Sequence, residues 1–344
     1  MNSNRARIQD VARVAGVSTA TVSRTLSNPS VVSEATRRSV LEAVKVTGYR
    51  VNRAARNLRT QKTSAILVLI PNLSNPFFSQ IISGIEQVFS RAGYSLLVAD
   101  TENKSKPNFS LVDVFRDGQA DGIILLDGYI PLEAITSLRG TEAEHLVIYA
   151  CEWGESEGIP SIRSDNPAGA RMAAEHFASL GHKTVGHVCG PAENVLTPMR
   201  RDSFLTEAKK LGMEVRDEWV FPGDFRLVTG AQAADMYMAL EDKPSAIFCA
   251  SDLMAIGFMK RCLSEGIRIP EDVSVIGFDD VGLAAYYHPS LTTIRQDRGQ
   301  IGRVAATTLL SRLRDPSNID PYFRHTVPVE LISRESTGRF LPKA

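Results

Sequence analysis

From Thr63 onward, strand-length apolar runs alternate with amphipathic stretches of helical period, which restricts this part of the chain to parallel sheets assembled from βαβ units. The runs at 65–70, 96–99, 122–126 and 146–149 are expected to form one sheet, and those at 185–188, 219–221, 246–249 and 273–277 another. Between them the 3.6-residue period predicts helices near 77–91, 166–180, 199–211, 230–239, 252–264 and 299–312. Several of these close at a glycine, as at Gly93, Gly181, Gly212 and Gly266. Two similar α/β lobes result.

Ahead of this body, residues 8–28 (IQDVARVAGVSTATVSRTLSN) follow a different plan. Ile8, Val11, Ala12 and Ala15 recur at i, i+3, i+4 and i+7, so one face of a short first helix is apolar. Gly16 permits a sharp turn, and Ser18 can cap a second helix whose Val22 and Leu26 face inward while Thr19, Ala20, Ser23 and Arg24 point outward. A third helix over about 33–47, capped by Ser33 and closed by Gly48, adds Val40, Leu41 and Val44 to a three-helix core. This is the layout of a helix-turn-helix unit, and its outward residues suit a DNA major groove. Arginine can bond guanine bidentately, small side chains let the helix approach base edges, and hydroxyls can bond phosphate.

Charge is distributed accordingly. The chain balances 39 Lys and Arg against 39 Asp and Glu, yet residues 1–62 hold 12 basic and 3 acidic side chains, which leaves a head of +9 on a body of −9. A polyanion is expected at one end only, bound in an oriented and salt-dependent way. Residues 50–62 (RVNRAARNLRTQK) are basic and helix-permissive but too short for a helix to be stable alone in water, and they read as a hinge that folds on DNA. Leu58 is the one large apolar residue between Val51 and Ile66, and it is expected to wedge into a minor groove between arginines.

Other function classes find little support. No apolar run approaches the roughly 20 residues needed to cross a bilayer, and no secretory signal is visible, so a cytoplasmic protein is expected. Cys151, Cys189, Cys249 and Cys262 are scattered without CxxC pairing, and His176, His182 and His187 lack ligand spacing, so buried thiols and no metal are expected. Residues 154–158 (GESEG) match GxSxG in letters only: the flanking strand and helix of a nucleophile elbow are missing, and two glutamates would repel an oxyanion. With no GxGxxG or GxxxxGK[ST] either, neither an enzyme nor a cofactor is expected.

Ligands of open α/β sheets sit beyond the carboxyl ends of the strands, between the lobes here. That rule selects Asn75, Phe77, Phe78, Asp165, Asn194, Arg200, Phe225, Ser251, Asp252, Asp279 and Gln296. Planar polar groups that bond vicinal hydroxyls, beside aromatic faces, suit a small polyhydroxylated ligand. Taken singly, each has a plainer role, with Phe77 and Phe78 in a core and Asp165 and Asp279 as helix caps.

The motifs DVARVAGVSTATVSR (10–24), NRAARNLRT (52–60), NPFFSQIISGIEQ (75–87), GFDD (277–280) and PSLTTIRQ (289–296) together resemble the lac repressor family of bacterial transcription regulators over nearly the whole chain. The body alone would also resemble periplasmic sugar-binding proteins. The resemblance implies a helix-turn-helix head at 1–50, a hinge helix at 51–62 and a two-lobed periplasmic-binding-protein-like body at 63–344. The first lobe would comprise 63–160 and 293–325, the second 161–292 and 326–344, with crossings near 159–163, 290–294 and 323–328. It implies operator DNA contacts from Ser18, Thr19, Ala20, Thr21, Ser23, Arg24, Tyr49, Asn52, Arg53, Leu58 and Arg59. Effector contacts are implied for Asp165, Arg200, Phe225, Ser251, Asp279 and Gln296, with Asn75, Phe77, Phe78 and Asn194 beside them.

Three departures matter. Arg7 stands where relatives carry Thr or Ser as cap of the first helix, so that helix is expected to start less firmly. The loop 194–197 is less polar than in purine-responsive relatives, which disfavours a purine base. No heptad repeat follows Gly338, so a homodimer is expected. A sugar-like effector is the first expectation. A nucleoside is the alternative, given a likeness to the family's cytidine regulator, and a sugar-binding module with a protein-binding head is a third reading.

Overall fold

The computed structural model describes residues 6–49, 62–101, 110–154, 158–315, 320 and 322–341, and the chain divides into two compact units, Met1–Thr63 and Ser64–Ala344. In the first unit α1 (Ile8–Ala15), α2 (Thr19–Ser27) and α3 (Glu34–Thr47) pack around the fully buried Val11, Val22 and Val40. Gly16 ends α1 at φ +68°, a left-handed conformation in which its N–H donates back to the carbonyls of Ala12 and Arg13. Ser18 Oγ accepts the Thr21 N–H at 3.1 Å, and Ser33 Oγ accepts that of Thr36 at 3.3 Å. Arg7, which has no side-chain acceptor, occupies the N-cap of α1. That helix is held from within by Asp10, which accepts the Arg7 N–H at 2.9 Å and pairs with Arg13 at 2.8 Å.

The second unit contains two six-stranded sheets. The first comprises β1 (Ala65–Ile70), β2 (Ser95–Asp100), β3 (Gly122–Leu125), β4 (Val147–Ala150), β5 (Ser161–Ser164) and β11 (Arg324–Val327). They run parallel in the order β11-β5-β4-β3-β1-β2. The second comprises β6 (Val185–Val188), β7 (Val220–Phe221), β8 (Ala246–Cys249), β9 (Ser274–Asp279), β10 (Thr292–Gln296) and β12 (Val329–Ile332). Its order is β12-β10-β9-β8-β6-β7, and only the β10–β12 pair is antiparallel. Each lobe therefore repeats one doubly wound order, second strand, first, third, fourth, fifth, and gains a sixth strand from the last segment of the chain. All six residues of β1, AILVLI, are buried, because helices cover both faces of the sheet.

In the first lobe α4 (Phe77–Arg91) and α11 (Arg298–Arg314) cover one face, and the short α5 (Leu111–Arg116) and α6 (Leu132–Thr136) the other. In the second lobe α7 (Asn166–Ser179) and α8 (Leu196–Lys210) cover one face, α9 (Leu227–Ala239) and α10 (Asp252–Ser264) the other. The sequence reading missed β5, β10, β11 and β12, which are short and carry Ser, Thr, Arg, His or Glu. It therefore placed the first two crossings a few residues early, while the third, expected near 323–328, includes Pro328. Residues 161–164 belong to the first sheet and 292–296 to the second, so the chain changes lobe at Asp165, Asp297 and Pro328. Asp165 and Asp297 are built alike. Each caps the helix that follows, with φ, ψ of −75°, 74° and −74°, 77°, and accepts the N–H of Ala168 at 3.0 Å or Gln300 at 2.8 Å.

Both lobes close one helix pair by backbone contact. A Cβ on Gly302 of α11 would lie 2.1 Å from the Ile81 carbonyl oxygen of α4, and one on Gly230 of α9 would lie 2.0 Å from that of Met254 in α10. Gly302→Ala and Gly230→Ala should each lower stability by about 3 kcal/mol, read as a fall in the urea midpoint. Gly299→Ala, whose Cβ meets only the movable tip of Arg303 at 2.9 Å, should cost under about 1 kcal/mol.

Candidate functional site

The outward face of the head is formed where Ser18 starts α2. Ser18, Thr19, Ala20 and Arg24 are exposed, Thr21 and Ser23 are half-buried, and Val22 and Thr25 turn inward. Tyr49, expected among the operator contacts, is half-buried against the head core. Asn52, Arg53, Leu58 and Arg59 lie outside the described residues, as does Ser156 of GESEG.

In the body, the switch points of the two sheets fall between β1 and β3 and between β6 and β8, and loops from the strand ends line the interlobe cleft. Arg200, 2% exposed in α8, donates from Nε to Asn166 Oδ1 at 2.8 Å and from Nη1 to the Ala250 carbonyl at 2.6 Å. Its guanidinium stacks 3.8 Å over the Phe278 ring and lies 4.0 Å from Asp279 Oδ1. Gln296 Nε2 donates to the same Asp279 oxygen at 2.6 Å. Asp279 holds this place at φ +124°, and Phe225, 5.9 Å from Arg200, at φ +67°, conformations that non-glycine residues rarely adopt and that concentrate at functional sites. Gln296 Oε1, Thr197 Oγ1 and Arg298 Nε are buried with no hydrogen-bond partner among the described residues. Such atoms cost about 1–3 kcal/mol each when left unpaired, which favours a ligand that bonds them.

The remaining candidates divide by role. Asp165 and Ser251 cap α7 and α10, and Asn75 Oδ1 accepts the Phe77 N–H at 3.0 Å. Phe77 and Phe78 are buried in the first-lobe core in an edge-to-face pair, so core packing accounts for both rings. Asp252 is fully buried and accepts from Val281 N at 2.8 Å and Thr293 Oγ1 at 2.5 Å. Burial raises the pKa of both Asp252 and Asp279, and each is affected by the other's charge or backbone.

Several cleft residues escaped the sequence reading. Asn166 orients Arg200. Arg298 ties the lobes together, donating to the Phe77 carbonyl at 3.4 Å on one side and the Asp280 carbonyl at 2.8 Å on the other. Glu152, after β4, accepts the Gly128 N–H at 3.1 Å, and Asn194 of the opposite lobe lines one cavity with Tyr129. The strand-end rule could have found Asp127, directly after the predicted run 122–126, and Glu152, three residues past the run 146–149; nothing in the sequence singles out Arg298.

A helix-turn-helix head joined to a two-lobed body with a polar interlobe cleft defines a DNA-binding regulator that responds to a small ligand. The sequence pattern of bacterial regulatory proteins of the lacI family matches residues 7–52, and that of the periplasmic binding protein-like domain matches 174–337. The transcriptional repressor CytR of Escherichia coli K12 is 35% identical over 309 residues, 90% of either chain. The repressor PurR of Photobacterium profundum is 33% identical over 332 residues, 96% of this chain and 98% of that one. The lac repressor dimer bound to operator and the anti-inducer ONPF superposes with a TM-score of 0.83 at 26% identity, covering 97% of this chain and 100% of that one. The complex of the regulator CelR with cellobiose gives 0.69 at 26% identity, covering 96% and 100%. The chain belongs to the lacI family and is a transcription regulator, not an enzyme. Among the described residues no helix is long and apolar enough to cross a membrane.

Burial raises the Glu152 pKa from 4.5 to about 7, with the Gly128 N–H opposing. The folded state thus favours the protonated acid, a contribution complete below the unfolded value and lost as pH climbs through about 7. Glu152→Gln keeps an acceptor without the charge, so its melting temperature should exceed the wild type's by roughly 5 °C at pH 8 and by much less at pH 4.5. An equal difference at both pH values would refute this assignment.

Proposed function

We propose that this regulator represses transcription as a cytoplasmic homodimer on a pseudo-palindromic operator, with affinity set by a small sugar-like effector in the interlobe cleft. The observation that carries the effector reading is the buried Arg200–Asp279–Gln296 cluster, with donors and acceptors converging and Gln296 Oε1 unpaired. The ligands named in solved relatives, cellobiose and ribose, are hydroxyl-rich in the way this cluster suits. Ser18, Thr19, Ala20, Thr21, Ser23 and Arg24 would read one half-site, Tyr49, Asn52 and Arg53 would hold the backbone nearby, and paired hinges would insert Leu58 and Arg59 at the operator centre. Dimerisation would cover apolar surface now open on the second unit: Leu97 and Val98 on the edge strand β2, and Leu227 and Val228 on α9. Effector would act through lobe orientation, with reciprocal coupling between ligand and operator.

Selection of bound sequences from a random duplex pool, with and without a panel of sugars and nucleosides, tests this reading. A pseudo-palindrome whose recovery changes with one ligand is expected; no enrichment under any condition would defeat it. On the selected operator, Arg24→Ala should lower affinity by about 10- to 100-fold. Arg200→Ala should abolish the ligand response while ligand-free operator binding persists.

A further inference from the structure

Two adjacent aspartates close β9, and the fold surrounds them differently. Asp279 and Asp280 both have positive φ, +124° and +53°. The first value is rare for any residue but glycine, and such a backbone persists only where its neighbours fix it from several directions. Most of those neighbours act on Asp280. One carboxylate oxygen accepts from Arg295 Nε of β10 at 2.6 Å, and the other accepts from Arg334 Nη2, in the segment after β12, also at 2.6 Å. The Asp280 carbonyl accepts from Arg298 Nη2 at 2.8 Å, and the Val281 N–H that follows donates to Asp252 Oδ2 at 2.8 Å. Both clamping arginines are themselves held. Arg295 Nη1 donates to Glu330 at 2.6 Å, and Arg334 donates to the Leu291 carbonyl at 2.6 Å from Nη1 and to Thr292 Oγ1 at 2.8 Å from its backbone N–H. The Asp280 and Arg334 side chains are only 11% and 16% exposed, so solvent screens this pair much less than an ordinary surface pair.

We infer that Asp280 is a positioning residue: its carboxylate, clamped between Arg295 and Arg334, fixes the turn that aims Asp279 at Arg200 and Gln296, without itself bonding the ligand. The inference rests on the effector reading above and deepens it. The link to the site is covalent, since Asp280 is the residue after Asp279, and Arg334 joins it from 54 positions away. The last segment of the chain thereby supports the effector site. Electrostatics separate the two acids in the same way. Burial pushes the Asp280 pKa up, but the hydrogen bonds and charges of Arg295 and Arg334 together outweigh it and hold the group below its ordinary value. Burial raises Asp279 to about 6 despite the nearby arginines. Asp280 is thus a fixed anion with an arginine on each oxygen, whereas Asp279 has its arginine only at 4.0 Å and retains acceptor capacity for a ligand hydroxyl.

Calorimetric titration of the full-length protein with ribose, glucose, cellobiose, uridine and cytidine, well below its melting temperature, tests this. Asp280→Asn keeps the shape and removes the charge, and should weaken the probe that binds the wild type best by about tenfold or more. Arg334→Met leaves Asp280 in place and should act in the same direction. The double variant should bind within about twofold of the weaker single one, because both changes break one contact. Arg295→Gln, at the half-exposed rim of the clamp, should cost less, about threefold. A lower melting temperature with wild-type affinity in Asp280→Asn would make its role purely structural and overturn the assignment. Losses that add in full in the double variant would overturn it too. In either case the effector reading stands if Arg200→Ala abolishes binding of the same probe. If no probe binds the wild type, the effector reading fails and the assignment with it. Should Asp280→Asn not fold, Arg334→Met decides alone, and unchanged affinity in it overturns the clamp.

Discussion

A guanidinium removed almost wholly from water has to be satisfied on all sides, and in the second lobe Arg200 imposes that requirement on four elements at once. Its partners come from the start of α7 (Asn166), the end of β8 (Ala250) and the end of β9 (Phe278 and Asp279), while Gln296 at the end of β10 shares the Asp279 oxygen. None of these residues is adjacent in sequence to Arg200, so the cluster assembles only when the strand order of the lobe is complete. Asp279 pays in backbone strain at φ +124° for its place. An arrangement this expensive is retained most readily where function needs donors and acceptors held in advance of a ligand.

The cleft is joined to lobe orientation by few connections, and they are specific. Two of the three crossings end in an aspartate that caps the next helix with nearly identical dihedral angles. These caps tie the end of each crossing to the helix that follows it. Arg298 lies directly after the second crossing and donates to a carbonyl in each lobe. A ligand that bonds its unpaired Nε would compete with or reinforce those two contacts, and so would favour one lobe orientation over another. Asn194 and Tyr129 line one cavity from opposite lobes.

Much of this was legible before any coordinates, for reasons that differ by element. β1 was readable because a strand covered on both faces is uninterrupted AILVLI, and α2 and α3 because Ser18 and Ser33 cap them. Strand β5 was not, because SIRS carries no apolar run, although backbone pairing to β4 and β11 on either side makes it a strand. That pairing is non-local and leaves no mark on the residues. Missing it shifted the first crossing from Asp165 toward residues 159–163. Asp279 follows a predicted strand and Arg200 lies in the segment after another, whereas Gln296 ends a strand that the residues did not reveal and was implied by the PSLTTIRQ motif; Asn166 and Arg298 take their roles only from where Arg200 and Phe77 end up in space.

The same long-range effects set the charge of the cleft. Arg200 and Arg298 stand among Asp252, Asp279 and Glu152, and burial raises the pKa of all three acids. A site built this way can move toward neutrality by taking up protons rather than counter-ions. A neutral, hydroxyl-bearing ligand can enter it by exchanging hydrogen bonds. An anionic one would have to displace Asp279 from beside Arg200, giving up the Gln296 bond and leaving a buried carboxylate without its cation.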